Sequence, residues 1–281
     1  MNRKERARFT IEALREAIPR PETELEFGNE YELLLAVVLS AQCTDERVNK
    51  VTPELFEAFP DVESLARVEP EDVFPYIRSI SYPNNKSKHL VGLARMIIDD
   101  FDGQVPNSIE GLMKLPGVGR KTAQVVASVA FDIDALPVDT HVFRVANRIG
   151  ITHRADTPLK VERQIKAVVP KEDWGEAHHL LILHGRYTCI ARRPKCEICP
   201  VRPACVYYER LQKLPGPLEG LDRKKGRFFC KTCGRYFDEP ANRVDRYGME
   251  QVSCPVDGSM NVFETRTGNS TRRVPDFRVN A

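Results

Sequence analysis

Four cysteines within 17 residues constrain this chain of 281 residues more than any other feature. Their spacing is C-x6-C-x2-C-x5-C, at Cys189, Cys196, Cys199 and Cys205. Loops this short can bring the four sulfur atoms to one centre. Disulfide frameworks are typical of small secreted chains. This chain is longer, and its charged first residues lead into no apolar signal sequence. The spacing therefore predicts a metal site rather than disulfides.

The arrangement of these cysteines also bears on which metal is bound. Four thiolates can hold a zinc ion or an iron–sulfur cube. Zinc sites usually present two separated C-x2-C pairs, whereas here only Cys196 and Cys199 form such a pair. We therefore favour a [4Fe–4S] cluster held by all four residues of the run.

Positive charge is concentrated locally in a chain whose net charge is only +2. Residues 1–210 hold 29 basic and 31 acidic side chains, and residues 211–281 hold 13 and 9. No acid occurs from 177 to 196, a window with Arg192, Arg193 and Lys195 in the first loop of the cysteine run. A polyanion needs local positive surface rather than high total charge. We predict that these three side chains contact the phosphates of a polyanion.

Helical periodicity prevails up to about residue 210, so we predict an all-α fold for this part. Apolar residues recur at helical spacing, for example over 33–41 and 90–97. The longest apolar run has seven residues, and a membrane helix needs about 18, so no membrane partner is expected. Breakers at 214–217 and short β-like segments beyond them predict a linker and a small β-rich module.

Two glycines separate helical patterns in residues 115–123, LPGVGRKTA. Gly117 and Gly119 let another backbone come close, and the amides at the start of the second helix favour an anion such as a DNA phosphate. A plain connection between helices would also use glycine. Lys121 favours the phosphate-binding hairpin, because the helix dipole opposes a cation in the first turn and so points to a functional lysine.

Asp139 and His141 begin a further helical pattern after the turn at Pro137. Asp139 stands at an N-cap position. Its carboxylate could instead take a proton from Lys121 and stabilise a developing cation, as an amine nucleophile requires. His141 could contact a phosphate or satisfy a hydrogen bond in the core. The sequence alone is compatible with either role for each residue.

Together these residues resemble the endonuclease III family of DNA glycosylases, in the helix-hairpin-helix superfamily, over most of residues 1–210. Several motifs in the family order carry the resemblance: 39–45 (LSAQCTD), 115–123 (LPGVGRKTA), 138–141 (VDTH), 183–189 (LHGRYTC) and the cysteine run. The resemblance implies that Lys121 is the nucleophile and Asp139 its partner. It also implies that Gln42 fills the gap left by a flipped base.

The resemblance further implies a domain arrangement and a function. A helical barrel domain is expected over 23–133, an iron–sulfur domain over 1–22 and 134–212, and a basic tail over 213–281. The implied activity is that of a bifunctional DNA glycosylase and AP lyase in base excision repair. The implied partner is double-stranded DNA with damaged bases, oxidised pyrimidines foremost, or with abasic sites. We expect a cytoplasmic, nucleoid-associated monomer. The alternatives are a monofunctional mismatch glycosylase and a non-catalytic DNA-damage-binding protein.

Two features depart from the family pattern. Tyr82 aligns with the apolar wedge of the family, where an aromatic ring can stack between bases; the alternative is a tyrosine in a turn. The tail holds a zinc-ribbon-like spacing with an aspartate as its last member. Aspartate can ligate zinc, so we expect either a zinc site or a ribbon without its metal. The four ligands would be Cys230, Cys233, Cys254 and Asp257.

Overall fold

The computed structural model describes residues 1–212 and six short strands with their flanks beyond them. These later described residues are 228–230, 236–237, 241–244, 250–255, 262–265 and 271–273. All regular elements up to residue 212 are helices, and all regular elements described after it are strands. The predicted all-α fold with a β-rich C-terminal module is thus confirmed. Within the described residues, no helix is both long and apolar enough to span a membrane.

Twelve α-helices and three 3-10 helices lie in the described residues. The α-helices are α1 (Arg3–Ala17), α2 (Glu30–Leu39), α3 (Asp45–Ala58), α4 (Val62–Ala66), α5 (Pro70–Ile77), α6 (Pro83–Phe101), α7 (Ile109–Leu112), α8 (Arg120–Phe131), α9 (Thr140–Ile149), α10 (Pro158–Lys166), α11 (Trp174–Tyr187) and α12 (Val206–Gln212). The 3-10 helices are Lys171–Asp173, Cys196–Ile198 and Arg202–Ala204.

The strands form two small antiparallel sheets. They are β1 (Phe228–Cys230), β2 (Tyr236–Phe237), β3 (Ala241–Val244), β4 (Glu250–Ser253), β5 (Val262–Thr265) and β6 (Thr271–Arg273). One sheet has the order β2-β1-β5-β6, and the other pairs β3 with β4.

The chain divides into two compact units that are not contiguous in sequence. The first unit comprises 1–20, 140–169 and the residues from 180 onward, and the second comprises 21–139 and 170–179. The second unit takes in residues 170–179, which the sequence analysis gave to the iron–sulfur domain. The predicted domain boundaries at 22/23, 133/134 and 212/213 stay predictions.

The second unit is built around α2, which is apolar on all sides from residue 33 to residue 39 and is buried at eight of its ten positions. A helix of this composition belongs in a core rather than at a surface. Asn29 starts it by accepting a hydrogen bond from the backbone amide of Glu32. Helices α3, α6 and α8 pack against it. The C-terminal end of α2 therefore leads out of the core directly into residues 40–44.

The first unit is tied together through arginines of α1. Arg3 donates hydrogen bonds to the carbonyl oxygens of Ile151 (2.9 Å) and Gln164 (3.1 Å). Arg6 donates to the carbonyl of Ala204, also at 2.9 Å. Hydrogen bonds from a charged donor contribute about 1.5–3 kcal/mol each. The first helix is thus an integral part of this unit.

The described part of the tail packs on α12. A buried cluster joins Tyr207 and Leu211 of that helix to four residues of the tail, which are Phe228, Cys230, Cys254 and Val262. Two cysteines of the run, Cys196 and Cys205, pack against this cluster. The module therefore covers part of the cysteine loop instead of standing apart from it.

Candidate active site

The helix-hairpin-helix predicted for residues 115–123 is present, with α7 before the turn and α8 after it. The two glycines of the turn play different parts. Gly117 has a φ of +79°, and a Cβ built on it would lie 2.8 Å from the ring of His89. Gly119 has φ −86° and would meet nothing within 4 Å. Gly117 is thus required by the fold, whereas Gly119 keeps the outer face of the hairpin open.

The start of α8 suits an anion. Gly119 occupies the N-cap and has no side chain to accept from the first amides of the helix. The start of a helix carries a partial positive charge, which favours an anion there. The first turn contains no acid and begins with Arg120 and Lys121. The sequence prediction of a phosphate-binding hairpin has a suitable geometry here, and the roles of Gly117, Gly119 and Lys121 stay predictions.

Asp139 is the residue immediately before α9, and its side chain is partly exposed. His178, which the sequence did not single out, holds the segment that leads to Asp139. The Nδ1 atom of His178, a buried residue, lies 2.8 Å from the carbonyl oxygen of Pro137. A carbonyl only accepts, so His178 donates. Lys121 and Asp139 belong to the same unit, and their joint action stays a prediction.

Gln42 and Tyr82, predicted to enter the duplex, lie on loops that touch. The hydroxyl of Ser81 donates to the carbonyl oxygen of Gln42 at 2.8 Å. Both Gln42 (φ +56°) and Tyr82 (φ +59°) have left-handed backbone conformations. For residues with a side chain this costs about 1–2 kcal/mol each. Gln42 is exposed, and 62% of Tyr82 is accessible to solvent.

Lys86 supports the same two loops, although nothing in the sequence marks it as a functional residue. Its ammonium donates to the carbonyl oxygens of Leu39 and Ala41, both at 2.7 Å. Only 5% of the residue is exposed, and this burial lowers the pKa of Lys86. From the sequence, Lys86 would be taken for a solvated lysine in the first turn of a helix. Its carbonyl acceptors lie more than 40 residues away in the chain, so no local pattern reveals them.

The four cysteines of the C-x6-C-x2-C-x5-C run line one pocket in the first unit. None of them is in a disulfide. His184 and Tyr207 line the pocket with them. Within the described residues, no three histidine, cysteine or acidic side chains form a group that could hold a single metal ion. The four thiols thus line the same pocket, and their convergence on one metal centre stays a prediction.

The chemistry of this pocket fits a cationic iron–sulfur core. Burial, and then the neighbouring thiols, raise the pKa of Cys196 to about 12 and that of Cys199 to about 11. Burial also raises the pKa of Cys205 and lowers that of His184 to about 4. Thiolates are thus costly here unless iron compensates their charge. The backbone amide of Tyr208 donates to the sulfur of Cys205 at 3.5 Å, as suits a thiolate ligand.

Arg148 is buried behind the cysteine loop and holds its backbone. The sequence did not predict this role either. Its guanidinium donates to the carbonyl oxygens of Ile190 and Ala191, both at 2.8 Å, and lies 3.7 Å from the sulfur of Cys189. It also stacks on the ring of Tyr207, 4.9 Å from the ring centroid. Arg148 is 9% exposed, so its charge is placed beside the thiols with little screening.

The basic loop between Cys189 and Cys196 is presented to solvent. Arg192, Arg193 and Lys195 are all exposed, and Arg193 adopts a left-handed φ of +55°. The backbone amide of Lys195 donates to the carbonyl of Thr188 at 2.9 Å, which closes the loop at its base. Three accessible cations on a fixed loop suit phosphate contacts, and this role stays a prediction.

His141 lies at the packing contact between α9 and α11. A Cβ on Gly185 would come within 2.9 Å of the Cβ of His141, so the glycine is needed for this close approach. Nδ1 of His141 lies 3.3 Å from the guanidinium of Arg144, which donates to the carbonyl of Gly185 at 2.8 Å. The hydrogen-bonded alternative thus has a partner, and a phosphate contact stays a prediction.

The possible zinc ligands of the tail are only partly described. Cys230 and Cys254 are both buried, at 0% and 1% exposure, in the cluster with Tyr207 and Leu211. Cys233 and Asp257 lie outside the described residues. The zinc site therefore stays a prediction.

Comparison with known proteins adds an independent finding. Residues 35–171 match the family model described as HhH-GPD superfamily base excision DNA repair protein. Endonuclease III of Rickettsia conorii is 46% identical over 194 residues, which cover 69% of this chain and 92% of that protein. Endonuclease III of Bacillus subtilis is 47% identical over 197 residues, covering 70% of this chain and 90% of that protein.

Solved structures agree with these relatives. The chain is similar to a trapped endonuclease III–DNA covalent intermediate, described as an estranged-adenine complex. The TM-score is 0.72 at 43% sequence identity, and the match covers 76% of this chain and all of that one.

Proposed function

The chain belongs to the endonuclease III family of base excision repair DNA glycosylases, and on that premise we propose that it is bifunctional. It removes damaged bases, oxidised pyrimidines foremost, and then cuts the strand as an AP lyase. Its partner is double-stranded DNA that contains such a base or an abasic site. It works as a cytoplasmic, nucleoid-associated monomer.

DNA opening precedes the chemistry. A base inside the stack cannot be reached, so the damaged nucleotide is flipped out at a cost of a few kcal/mol. Tyr82 stacks as the wedge, and Gln42 fills the space that the base leaves. The amides at the start of α8 and the cations of the loop with Arg192, Arg193 and Lys195 bind phosphates, and this binding offsets the cost of opening.

Lys121 and Asp139 carry the bond changes. The amine of Lys121 attacks C1′ of the sugar, the glycosidic bond breaks, and the base leaves with a proton. The carboxylate of Asp139 stabilises the cationic sugar while the bond breaks, and it then passes the proton that the attacking amine loses to the departing base. The sugar ring then opens at the C1′–O4′ bond, with O4′ taking a proton from water, and the Schiff base that this gives acidifies C2′. Loss of a C2′ proton then breaks the C3′–O bond and releases the 3′ phosphate, and water frees Lys121.

Cys189, Cys196, Cys199 and Cys205 would hold a [4Fe–4S] cluster. When bound, the cluster supplies a rigid, charge-compensated anchor for the basic loop. Arg148 and the amide of Tyr208 act on this anchor from the protein side. Iron analysis of protein purified without oxygen should give four iron atoms per chain and a brown colour. A colourless protein with one zinc ion on these cysteines would overturn the assignment.

The position of Lys121 in the first turn of an acid-free helix, beside the open Gly119, is the observation that carries the lyase proposal. Borohydride reduction of the enzyme on abasic duplex should trap a covalent adduct, and Lys121→Gln should lose both this adduct and base release while still binding DNA. Lys114→Gln removes the same charge from the same hairpin and should still be trapped.

The outcomes separate the proposal from its alternatives. A panel of duplexes, each with one lesion, identifies the base that is released. Trapping that persists in Lys121→Gln means another nucleophile. Base release without any trapping in the unaltered protein indicates a monofunctional glycosylase. Binding of lesion DNA without base release indicates a damage-binding protein.

A further inference from the structure

Lys86 connects the end of α2 to the start of α6. Its ammonium donates to the carbonyl oxygens of Leu39, the last residue of α2, and of Ala41, each at 2.7 Å. Lys86 itself lies in the first turn of α6 and is 5% exposed. The residue after Ala41 is Gln42, and the residue before α6 is Tyr82. One buried cation thus fixes the roots of both loops.

A second contact connects the same loops nearer their tips. The hydroxyl of Ser81 donates to the carbonyl oxygen of Gln42 at 2.8 Å. Gln42 and Tyr82 both have positive φ, a conformation that residues with side chains keep only where the surrounding structure holds them. The hydrogen bonds of Lys86 and Ser81 are contacts of this kind.

We propose that Lys86 is a positioning residue for DNA opening, which holds Gln42 and Tyr82 at a fixed separation. The inference rests on the proposed function. A flipped base leaves a gap in the stack, and a second side chain must separate the neighbouring bases. The two side chains enter the duplex together only if their loops are already in place. Lys86 is buried, so it acts through the two loops and not on the DNA.

The test compares two substrates under single-turnover conditions with saturating enzyme. One is a duplex with a single oxidised pyrimidine, which must be opened. The other is a single strand with one abasic site, on which Lys121 reacts without opening a duplex. Lys86→Met should lower the ratio of the duplex rate to the single-strand rate by about 10-fold or more, because small misplacements of substrate-positioning groups have effects of this size. Lys88→Met removes an exposed cation from the same helix and should leave the ratio unchanged.

Each outcome supports or overturns the positioning role of Lys86. If Lys86→Met does not fold, Ser81→Ala removes the second contact at a partly exposed position and should lower the same ratio by about 3-fold or more. A ratio equal to that of the unaltered protein, or an equal loss on both substrates, overturns the positioning role. Inactivity of the unaltered protein on both substrates would instead overturn the proposed function.

Discussion

Alanine at each hairpin glycine should separate folding from DNA binding. In Gly117→Ala the new Cβ lies 2.8 Å from Cγ and Nδ1 of His89 and 2.9 Å from its Cβ. Rotation of the ring relieves only part of this overlap, because the Cβ of His89 stays in place. The positive φ costs about 1–2 kcal/mol, and overpacking adds about 1–3 kcal/mol. The melting temperature should fall by roughly 5–15 °C.

Gly119→Ala should have the opposite profile. Its φ of −86° suits any residue, and the new Cβ meets no atom within 4 Å. An N-cap glycine is only moderately better than alanine, so the loss of stability should stay below about 1 kcal/mol. The methyl group stands where a phosphate would approach the first amides of α8. Affinity for duplex DNA should therefore fall, and the slope of log K against log salt should flatten by about 0.9 for one lost phosphate contact.

Thermal unfolding and salt-dependent binding of the two variants check the reasoning. The double variant His89→Ala, Gly117→Ala should recover part of the stability lost in Gly117→Ala, because the ring is gone. Normal stability of Gly117→Ala would refute the steric argument. Binding of Gly119→Ala with unaltered affinity and salt slope would show that the hairpin binds no phosphate.

Variants at four further places test the remaining assignments. Asp139→Asn should keep DNA affinity and slow base release by on the order of 10²-fold; an unchanged rate leaves Asp139 as a helix cap. Tyr82→Ala should weaken binding to lesion duplex more than to single strands, and equal losses would mark a turn residue. Arg148→Met should lower the reduction potential of the bound cluster, since a buried positive charge is lost. Arg148→Lys should lower this potential less. An unchanged potential in both variants refutes the electrostatic role. Serine at the three cations of 223–225, which lie outside the described residues, should flatten the salt slope by up to about 2–3 if they contact the DNA backbone; an unchanged slope shows that they do not.

Local sequence patterns were enough to predict features that depend on residues close together in the chain. Cysteine spacing predicted that the four thiols lie close together, as their shared pocket shows, and the glycines between two helical patterns predicted the hairpin. The sequence could not distinguish Gly117 from Gly119, because the difference is made by His89, which lies 28 residues earlier. It could not reveal Lys86 or Arg148 either. Both look like surface cations, and their burial follows from carbonyl groups that only the folded chain brings to them.

The order of segments within the first unit has a consequence for how the chain matures. Arg3 bonds to residues 148 and 161 positions later, and Arg6 to one 198 positions later. Contacts across such distances form slowly, because a long loop must close first. Residues 21–139 of the second unit are continuous and can fold during synthesis. Helix α1 is therefore made long before its partners and is among the last elements to reach its place. Its apolar face must stay clear of other partners until residue 204 has been made.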